Sequence, residues 1–236
     1  MLEYLRKNRI LVVVAHPDDE VLGVGGTINR LVNSYNSIVK VVILGEGITS
    51  RSNHRDLKKD SIKLDKHKGD ILRAKKILNY QYLETYDLPD NRFDTIPLLD
   101  IVKIIEKEKE KFKPEIVFTH FGGDLNIDHQ ITYKSVLTST RPVKTETVKL
   151  LISFETLSST EWTFCSDTMI FKPNLFISLS EENIASKVDA MEAYSFEKRI
   201  DPHPRSSNVI KSNAILRGST SGETYSEAFQ IVRYIQ

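Results

Sequence analysis

The chain has 236 residues, of which 40% are hydrophobic and 28% are charged, a composition typical of globular proteins. Its formal net charge of +1 argues against the strongly basic class of nucleic-acid-binding proteins, and its single cysteine, Cys165, excludes an intrachain disulfide. Because no apolar run reaches roughly 18 residues and the N-terminal residues lead straight into a predicted strand, we expect a cytoplasmic protein without signal peptide or transmembrane segment.

Strand-like and helix-like segments alternate in the first part of the chain, which is typical of βαβ units and a mainly parallel sheet. The polar segment from Ile48 to about Lys66 is predicted to be a mobile loop beside the site or a solvated connection. The mixed-charge run Glu106–Lys111 is predicted to be a solvated helix face. The predicted strands are Arg9–Ala15, Ile38–Leu44, Tyr82–Glu84 and Glu115–Thr119, and the predicted helices are Leu22–Asn33, His67–Leu78, Ile96–Phe112 and His129–Ser139.

Beyond Arg141 the pattern is less regular, with strands predicted at Lys149–Phe154 and Asn174–Leu179 and helices at Glu181–Tyr194 and Arg205–Leu216. The sequence contains no internal repeat and no linker rich in Pro, Gly and Ser. We therefore expect one domain over residues 1–236. The predicted fold class is α/β, with a Rossmann-like, mainly parallel sheet flanked by helices and a C-terminal elaboration.

Three ionisable side chains follow the first predicted strand. The apolar run of this strand is followed by His16, Asp18 and Asp19, and a glycine-rich stretch then leads into a helix. Parallel α/β sheets bind their ligands at the carboxyl ends of strands, and histidines and carboxylates are ligands of catalytic zinc. The sequence thus predicts an active site here. A dinucleotide site is disfavoured, because the glycines do not form G-x-G-x-x-G directly after the strand.

The segment Ala15–Glu20, with the sequence A-H-P-D-D-E, resembles the signature of the PIG-L/LmbE-like deacetylases. These are zinc enzymes that remove acetyl groups from N-acetylglucosamine-type substrates. The matches extend from about Ile10 to Arg233, so the resemblance covers nearly the whole chain. Further segments that resemble the family are Phe118–His120 and Asp124–His129, which form a second metal motif, and Pro202–Ser206 and Tyr225–Phe229.

The resemblance implies that His16, Asp19 and His129 bind Zn²⁺ or another divalent metal. Two neutral imidazoles and one carboxylate would leave the ion with a net charge near +1, able to lower the pKa of a bound water towards about 7. The resemblance assigns Asp18 the role of general base. The alternative for Asp18 is a helix N-cap, since aspartate accepts hydrogen bonds from backbone N–H groups at that position.

Other polar residues are candidates for roles around the metal. Asp128 could orient a ligand histidine or cap the following helix. The family's second motif is often H-x-x-H, but Asn126 stands three residues before His129 and cannot protonate a leaving amine. His203, between two prolines, could supply the oxyanion donor or the proton, with a solvent-facing turn residue as the alternative. His120 is a further candidate for this role.

Substrate contacts are predicted from residue chemistry. Glu46 could hydrogen-bond sugar hydroxyls, and Trp162 could stack on a sugar ring or belong to the core. His54 and His67 are predicted to lie on the surface. The arginines that could meet a phosphate or carboxylate are Arg51, Arg55, Arg73, Arg205 and Arg217.

The resemblance and the residues together predict hydrolysis of an N-acetyl group from an amino-sugar-containing small molecule, giving acetate and a free amine. One alternative is another metallohydrolase on the same fold, such as a phosphoesterase, for which a second metal would argue. Another is a non-catalytic sugar- or metal-binding relative, for which Asn126 is the only hint. A homo-oligomer is compatible with the sequence. The group attached to the amino sugar is not specified.

Overall fold

The computed structural model describes residues 5, 6, 8–164 and 170–236. Cys165 and most of the N-terminal segment, on which the expectations about compartment and signal peptide rest, lie outside the described residues. The strands are β1 (Arg9–Val14), β2 (Ile38–Gly45), β3 (Tyr82–Leu88), β4 (Ile116–His120), β5 (Leu150–Phe154), β6 (Leu175–Ser178) and β7 (Ser226–Tyr234). The α-helices are α1 (Asp19–Tyr35), α2 (Ser61–Leu78), α3 (Leu98–Phe112), α4 (Ile127–Ser139), α5 (Glu181–Ala193) and α6 (Ser207–Ser221).

The strands form one sheet in the order β3-β2-β1-β4-β5-β7-β6. Strands β1 to β5 are parallel to one another, whereas β7 pairs antiparallel with both β5 and β6. The chain runs from β1 towards one edge through β2 and β3, and continues on the other side of β1 with β4 and β5. The carboxyl ends of β1 and β4 therefore flank the switch point where open α/β sheets bind ligands. The predicted α/β class with a mainly parallel sheet is confirmed.

Helices cover both faces of the sheet, because successive residues of a strand point to opposite faces. Ile10, Val12 and Val14 of β1 belong to a buried cluster with apolar residues of α1, α2, α5 and α6. Leu11 and Val13 belong to a second cluster with residues of α3 and α4. A strand buried on both faces is a continuous apolar run, which explains the pattern of β1.

Several element boundaries differ from those predicted. Helix α2 begins at Ser61, six residues before the predicted start, so the polar segment after Ile48 is only partly a connection. Its first turns carry mostly polar side chains, so apolar periodicity gives little indication of a helix there. Strand β3 continues to Leu88, and β7 was not predicted as a strand. Among the described residues, no helix has the length and apolar character needed to cross a lipid bilayer.

Two predictions about surface residues are wrong. Glu108, in the supposedly solvated run, is 1% exposed and accepts hydrogen bonds from Lys40 Nζ at 2.5 Å and Tyr86 Oη at 2.8 Å. His67 is also 1% exposed, because its ring packs edge-on against Tyr194. A charged or imidazole side chain in a polar stretch is buried here because tertiary neighbours cover it, which local composition cannot indicate. His54 is exposed, as predicted.

Helix α1 lies close to the sheet and is held there by a buried ion pair. A Cβ atom at Gly23 would lie 2.2 Å from the ring of Phe154, so only glycine permits this approach. Glu227 of β7 accepts hydrogen bonds from the backbone N–H groups of Gly26 and Thr27 at 3.0 and 2.7 Å. Lys187 of α5 donates to Glu227 at 2.6 Å and to the backbone carbonyl of Leu22 in α1 at 2.8 Å. The segment Tyr225–Phe229 thus contributes to the placement of α1.

Candidate metal centre and its cavity

The candidate ligands come from two loops at the carboxyl ends of adjacent strands. His16 follows β1, Asp19 is the first residue of α1, and His129 lies in the first turn of α4, which follows β4. The backbone N–H of His16 donates to Asp19 Oδ2 at 2.7 Å, which closes the first loop on itself. Parallel pairing of β1 with β4 places the second loop beside the first.

One ligand atom from each of these three residues lies within 4.8 Å of the others. Asp19 Oδ2 is 3.5 Å from His16 Nδ1 and 3.3 Å from His129 Nε2. The two imidazole rings have centroids 5.4 Å apart. All three side chains are largely shielded from solvent. The three predicted ligands therefore converge on a common point.

Each histidine uses its other ring nitrogen to bind a carboxylate. His16 Nε2 donates to Asp128 Oδ2 at 2.9 Å, and His129 Nδ1 donates to Asp124 Oδ1 at 3.0 Å. These bonds leave His16 Nδ1 and His129 Nε2 facing Asp19. A carboxylate behind a ligand histidine fixes the tautomer and the orientation of the ring. The candidate ligand histidine that Asp128 contacts is thus His16, from the other loop.

Asp124 is a further candidate residue of the site, although it was not predicted from the sequence. It accepts hydrogen bonds from the hydroxyls of Ser159 and Thr160 and from the backbone N–H of Asn126. Its contacts with His129, Ser159 and Thr160 lower the pKa of Asp124 despite its burial. Its place five residues before His129 in the second motif was the available signal.

The pKa shifts of the candidate ligands are those expected at a site that attracts a cation. Although burial opposes the shift, Asp19 and Asp124 raise the pKa of His129 to about 9. Burial also lowers the pKa of His16, but its hydrogen bonds to Asp128 and Asp19 outweigh this effect and raise the pKa well above its ordinary value. The neighbouring histidines, against the effect of burial, hold the pKa of Asp19 well below its usual range. The carboxylates therefore create a negative potential that favours positive charge at this point, as the donor set of a divalent metal requires.

Asp18 does not cap α1 through its side chain. Asp18 occupies the N-cap position of α1 with φ 100°, but its side chain does not accept the capping hydrogen bond that the alternative predicts. Instead, Asp18 Oδ2 accepts a hydrogen bond from Arg205 Nη1 at 2.9 Å. Burial raises the pKa of Asp18 well above its ordinary value, although Arg205 opposes the shift. The Asp18 carboxylate thus borders the cavity beside the ligands while remaining a strong proton acceptor.

His120 lies behind the ligands rather than in the cavity. Its ring stacks on that of His129 with centroids 3.8 Å apart, and its Nε2 accepts a hydrogen bond from the backbone N–H of Ala15 at 2.9 Å. Its Nδ1 donates to Thr156 Oγ1 at 3.1 Å. Burial and the neighbouring His129 lower the pKa of His120 to about 4. His120 is therefore a neutral support for the ligand loop, which argues against its predicted role at the oxyanion.

The ligand atoms open into a cavity of about 240 Å³. Its wall is formed by residues of the two ligand loops and by residues from segments 47–51, 90–91, 158–162 and 197–205. His203 belongs to this wall and packs edge-on against Trp162 at 5.8 Å. The predicted His203 and Asn126 thus share a cavity with the metal ligands, and Trp162, 38% exposed, borders it rather than the core.

His203 has a defined hydrogen-bonding state. Its Nδ1 accepts a hydrogen bond from the backbone N–H of Arg205 at 3.1 Å, which leaves Nε2 as the N–H donor. Burial and the charges of Arg205 and Arg199 lower the pKa of His203. The nearby Asp201 binds Asn208 at 2.5 Å instead of His203. His203 is therefore a neutral donor in the cavity wall.

Asn126 is occupied mainly by structural hydrogen bonds. Its side-chain oxygen accepts from the backbone N–H of Asp128 at 2.8 Å, which makes it the N-cap of α4. Its amide donates to Asn91 Oδ1 at 3.0 Å. The helix-capping role predicted as one option for Asp128 thus belongs to Asn126.

The predicted sugar contact of Glu46 is not supported by its surroundings. Glu46 is buried, and its carboxylate binds Arg55 at 2.8 and 2.7 Å and the hydroxyl of Thr49 at 2.6 Å. It holds the segment after β2 and does not border the cavity of the metal ligands. The remaining predicted arginines form ion pairs, Arg51 with Glu197, Arg73 with Asp70, Arg205 with Asp18 and Glu197, and Arg217 with Glu155. Of the predicted arginines, Arg51 and Arg205 line the cavity, as does Arg199, which was not predicted.

A second group of metal-type ligands shares His16 with the first. It consists of His16, Asp90 and Asp128. Asp90 Oδ1 lies 3.4 Å from His16 Nε2, and its Oδ2 accepts hydrogen bonds from Ser50. Because these atoms already bind protein donors, we interpret the group as the outer contacts of the first site.

Solved structures with the same fold include enzymes of different activity. The N,N'-diacetylchitobiose deacetylase from Pyrococcus horikoshii aligns with a TM-score of 0.75 and 17% identity over 96% of this chain and 84% of its own. The zinc-inhibited form of the teicoplanin deacetylase Orf2 aligns with a TM-score of 0.73 and 16% identity over 95% of this chain and 98% of its own. The 4-carboxy-2-hydroxymuconate hydratase GalB from Pseudomonas putida aligns with a TM-score of 0.71 and 18% identity over 97% of this chain and 98% of its own. At these identities the likeness shows the fold alone.

Sequence comparison identifies the family more directly. No curated protein matches the chain significantly. The family PIG-L, described as GlcNAc-PI de-N-acetylase, matches residues 11–140, a stretch that contains both ligand loops and every candidate ligand. The match spans more than half of the 236 residues. With its fold and its paired histidine–carboxylate loops, this chain belongs to the PIG-L family.

Proposed function

We propose that the protein is a zinc-dependent N-deacetylase that hydrolyses the N-acetyl group of an amino-sugar-containing small molecule. The observation that carries this proposal is the convergence of His16, Asp19 and His129 at a cavity that is lined by both histidines and by Asp18. Two imidazoles and a carboxylate, with room for a reacting group, are the donor set of catalytic zinc sites. Membership of the PIG-L family and the deacetylase activity of two structural neighbours support the reaction.

His16, Asp19 and His129 would hold the cation. When bound, it would supply Lewis acidity to the acetyl carbonyl and to the attacking water. The carboxylates of Asp128 and Asp124 would keep the two imidazoles in place. Both imidazoles must be neutral to bind a metal. Binding of the cation would therefore release the protons that the carboxylates stabilise on these histidines.

Asp18 is the proposed carrier of the proton. It accepts a proton from water as the water oxygen forms a bond to the acetyl carbon and the carbonyl electron pair moves to oxygen. It then returns the proton to the nitrogen as the carbon–nitrogen bond breaks, which gives acetate and the amine. A raised pKa suits both steps, because the same carboxyl must accept and donate a proton near neutral pH. Arg205 fixes the direction of the carboxylate.

His203 is the proposed donor to the developing oxyanion. Its Nε2–H is the free donor of the neutral ring, and preorganised donors of this kind stabilise charge that appears in the transition state. Trp162, beside His203, offers an aromatic surface for the sugar ring. Asn126 keeps its capping role in this scheme.

The test is acetate release from a panel of N-acetylated amino sugars, including free, phosphorylated, glycosidic and nucleotide-linked forms. Zinc-loaded protein should release stoichiometric acetate and amine, whereas protein stripped by a chelator should not. The His129→Ala variant should lose zinc by elemental analysis. Hydrolysis of a phosphoester by the same preparation without deacetylation would contradict the proposal in favour of a phosphoesterase. Failure on the whole panel, with sugar binding retained, would favour a non-catalytic binding protein.

A further inference from the structure

The backbone at Ile48 is strained. Its φ is 74° and its ψ is −43°, and the N–H of Thr49 donates to the carbonyl of Gly47 at 2.8 Å. This is the rare form of the γ-turn, and a β-branched residue at such a φ is a genuine outlier. Strain of this kind persists only where the surroundings impose it. It is concentrated at binding and catalytic sites, so the position calls for a functional explanation.

The contacts around Ile48 impose the turn from both sides. Before it, the buried Glu46 binds the hydroxyl of Thr49 and the guanidinium of Arg55. After it, Ser50 donates from its backbone N–H and its hydroxyl to Asp90 Oδ2 at 3.1 and 2.7 Å. Asp90 Oδ1 in turn lies 3.4 Å from the ligand residue His16. The strained turn is thus fixed relative to the metal centre.

Ile48 is one of the residues that line the cavity of the candidate metal ligands, and it is 5% exposed. Nearly all the described residues of that wall are polar or charged, and Pro17 and Ile48 are its aliphatic members. Gly47 packs against Pro17, since a Cβ there would lie 3.2 Å from Pro17 Cδ. The aliphatic part of the wall therefore lies on one side, formed by the ligand loop and the strained turn.

An N-acetylated amino sugar has hydroxyls over most of its surface, and the acetyl methyl is its most apolar group. Desolvation of a methyl is favourable against an aliphatic surface and unfavourable against charged groups that would lose water. The methyl therefore fits best against the Pro17–Ile48 side. A longer acyl chain would collide with a side chain that the fixed turn does not allow to withdraw.

We propose that Ile48 selects the acyl group: its side chain contacts the methyl of the scissile acetyl group and excludes longer acyl chains. This inference rests on the proposed N-deacetylase function. One methylene in a hydrophobic pocket changes kcat/KM by about 10- to 200-fold. The wild-type enzyme should therefore prefer acetyl to propionyl and butyryl by factors in this range.

The experiment compares the wild type with Ile48→Ala and Ile48→Gly. The substrates are N-acetyl, N-propionyl and N-butyryl forms of the amino sugar that the panel shows to be hydrolysed fastest. Each variant should lower the acetyl-to-butyryl ratio of kcat/KM by at least about 10-fold. Ile48→Gly should also fold well, because glycine adopts positive φ without strain. The matched control is Leu57→Ala, which alters the same connection but lines the neighbouring cavity, and it should keep the wild-type ratio.

A binding measurement decides the question without turnover. Ligand-observed NMR on the zinc-loaded proteins should show that acetate binds the wild type more tightly than butyrate does. Ile48→Ala and Ile48→Gly should reduce or reverse this order. An active wild type whose acyl preference is unchanged in both variants would overturn the inference and leave the deacetylase function intact. If every panel sugar fails, the deacetylase function falls, and an unchanged carboxylate order in the variants overturns this inference as well.

Discussion

Asp18 and Asp19 are adjacent in the chain but have opposite electrostatic environments. His129 and His120 hold the pKa of Asp19 far below its usual range against the effect of burial, whereas burial raises that of Asp18 despite Arg205. Neighbouring carboxylates whose pKa values are driven apart in this way are suited to different tasks. The ionised one can bind a cation while the other exchanges protons. Asp18 Oδ2 contacts Arg205, whereas Asp19 Oδ2 lies near His16 and His129.

The Asp18→Asn variant should separate these tasks. Asparagine keeps the size of the side chain and can still accept the hydrogen bond from Arg205, but it cannot take a proton. We expect the deacetylation rate to fall by about 10²–10⁴-fold, with zinc content unchanged by elemental analysis. If Asp18→Asn removes the metal while Asp19→Asn keeps it, the two roles are exchanged.

His203→Ala tests the oxyanion donor. Loss of one preorganised donor should lower kcat by about 10²–10³-fold, and His203→Gln should restore part of it because an amide also donates. Burial and two arginines lower the pKa of His203, so it is neutral at pH 7. We therefore expect no alkaline limb from His203 in the pH–rate profile of the wild type.

The control for this prediction is Asp201→Asn, since Asp201 lies on the same segment but binds Asn208. It should leave both rate and profile unchanged. An alkaline limb present in the wild type and absent from His203→Ala would instead make His203 a general acid. A variant without His203 that works at the wild-type rate would reduce it to a wall residue.

At the level of elements, strand-end chemistry indicates where the candidate site lies. His16, Asp18 and Asp19 follow a buried parallel strand, at the edge where the sheet brings loops together. The choice of His16, Asp19 and His129 as ligands rests instead on the resemblance to the PIG-L/LmbE-like family. Asp124 was missed because its contact with His129 is a hydrogen bond between side chains, for which its place in the second motif was only an indirect signal. Strand β7 was missed because its pairing is with β5 and β6, distant in sequence. His67 and Glu108 were misjudged because burial is decided by neighbours from other elements.

The segment Tyr225–Phe229 also shows how an element far from the site can support it. Glu227 accepts hydrogen bonds from α1 and pairs with the buried Lys187, and α1 begins at the ligand Asp19. Glu227→Ala leaves the buried Lys187 without its ionic partner and removes both acceptor oxygens that bind backbone N–H groups of α1. Breaking a buried pair in this way should lower the free energy of unfolding by about 3–5 kcal/mol.

Chemical denaturation of the zinc-free protein would measure this loss. The matched control is Glu223→Ala, an exposed position on the preceding turn, which should change the stability by less than about 0.5 kcal/mol. The double variant Glu227→Gln/Lys187→Met should recover part of the loss, because it leaves no unpaired charge. Equal stabilities of Glu227→Ala and Glu223→Ala would show that the ion pair contributes little to the placement of α1.

For the whole molecule, the metal centre couples stability to pH. In the metal-free protein the pKa of His129 is about 9, above the roughly 6.5 of an unfolded histidine. A raised pKa in the folded state gives stability below pH 6.5 that is lost as the pH rises through 9. Glu20 acts in the same direction, since burial raises its pKa to about 7 against a hydrogen bond from Tyr194. Below pH 6.5 the lowered pKa of His120, about 4, opposes the effect of Glu20, so the metal-free protein should become less stable mainly between about pH 6.5 and 9.

Zinc reverses this dependence, because it requires the neutral form of the same imidazoles. At pH 7 the cation must displace the proton of His129, and the raised pKa of His16 adds a second competing proton. Zinc affinity should thus rise by about tenfold for each displaced proton and pH unit up to the histidine pKa values. Thermal unfolding at pH 6.5, 7.5 and 8.5 should show that the zinc-induced increase in Tm grows with pH. His203→Ala should keep this trend, since His203 is not a ligand, whereas a Tm increase that shrinks as the pH rises would contradict zinc binding through these histidines.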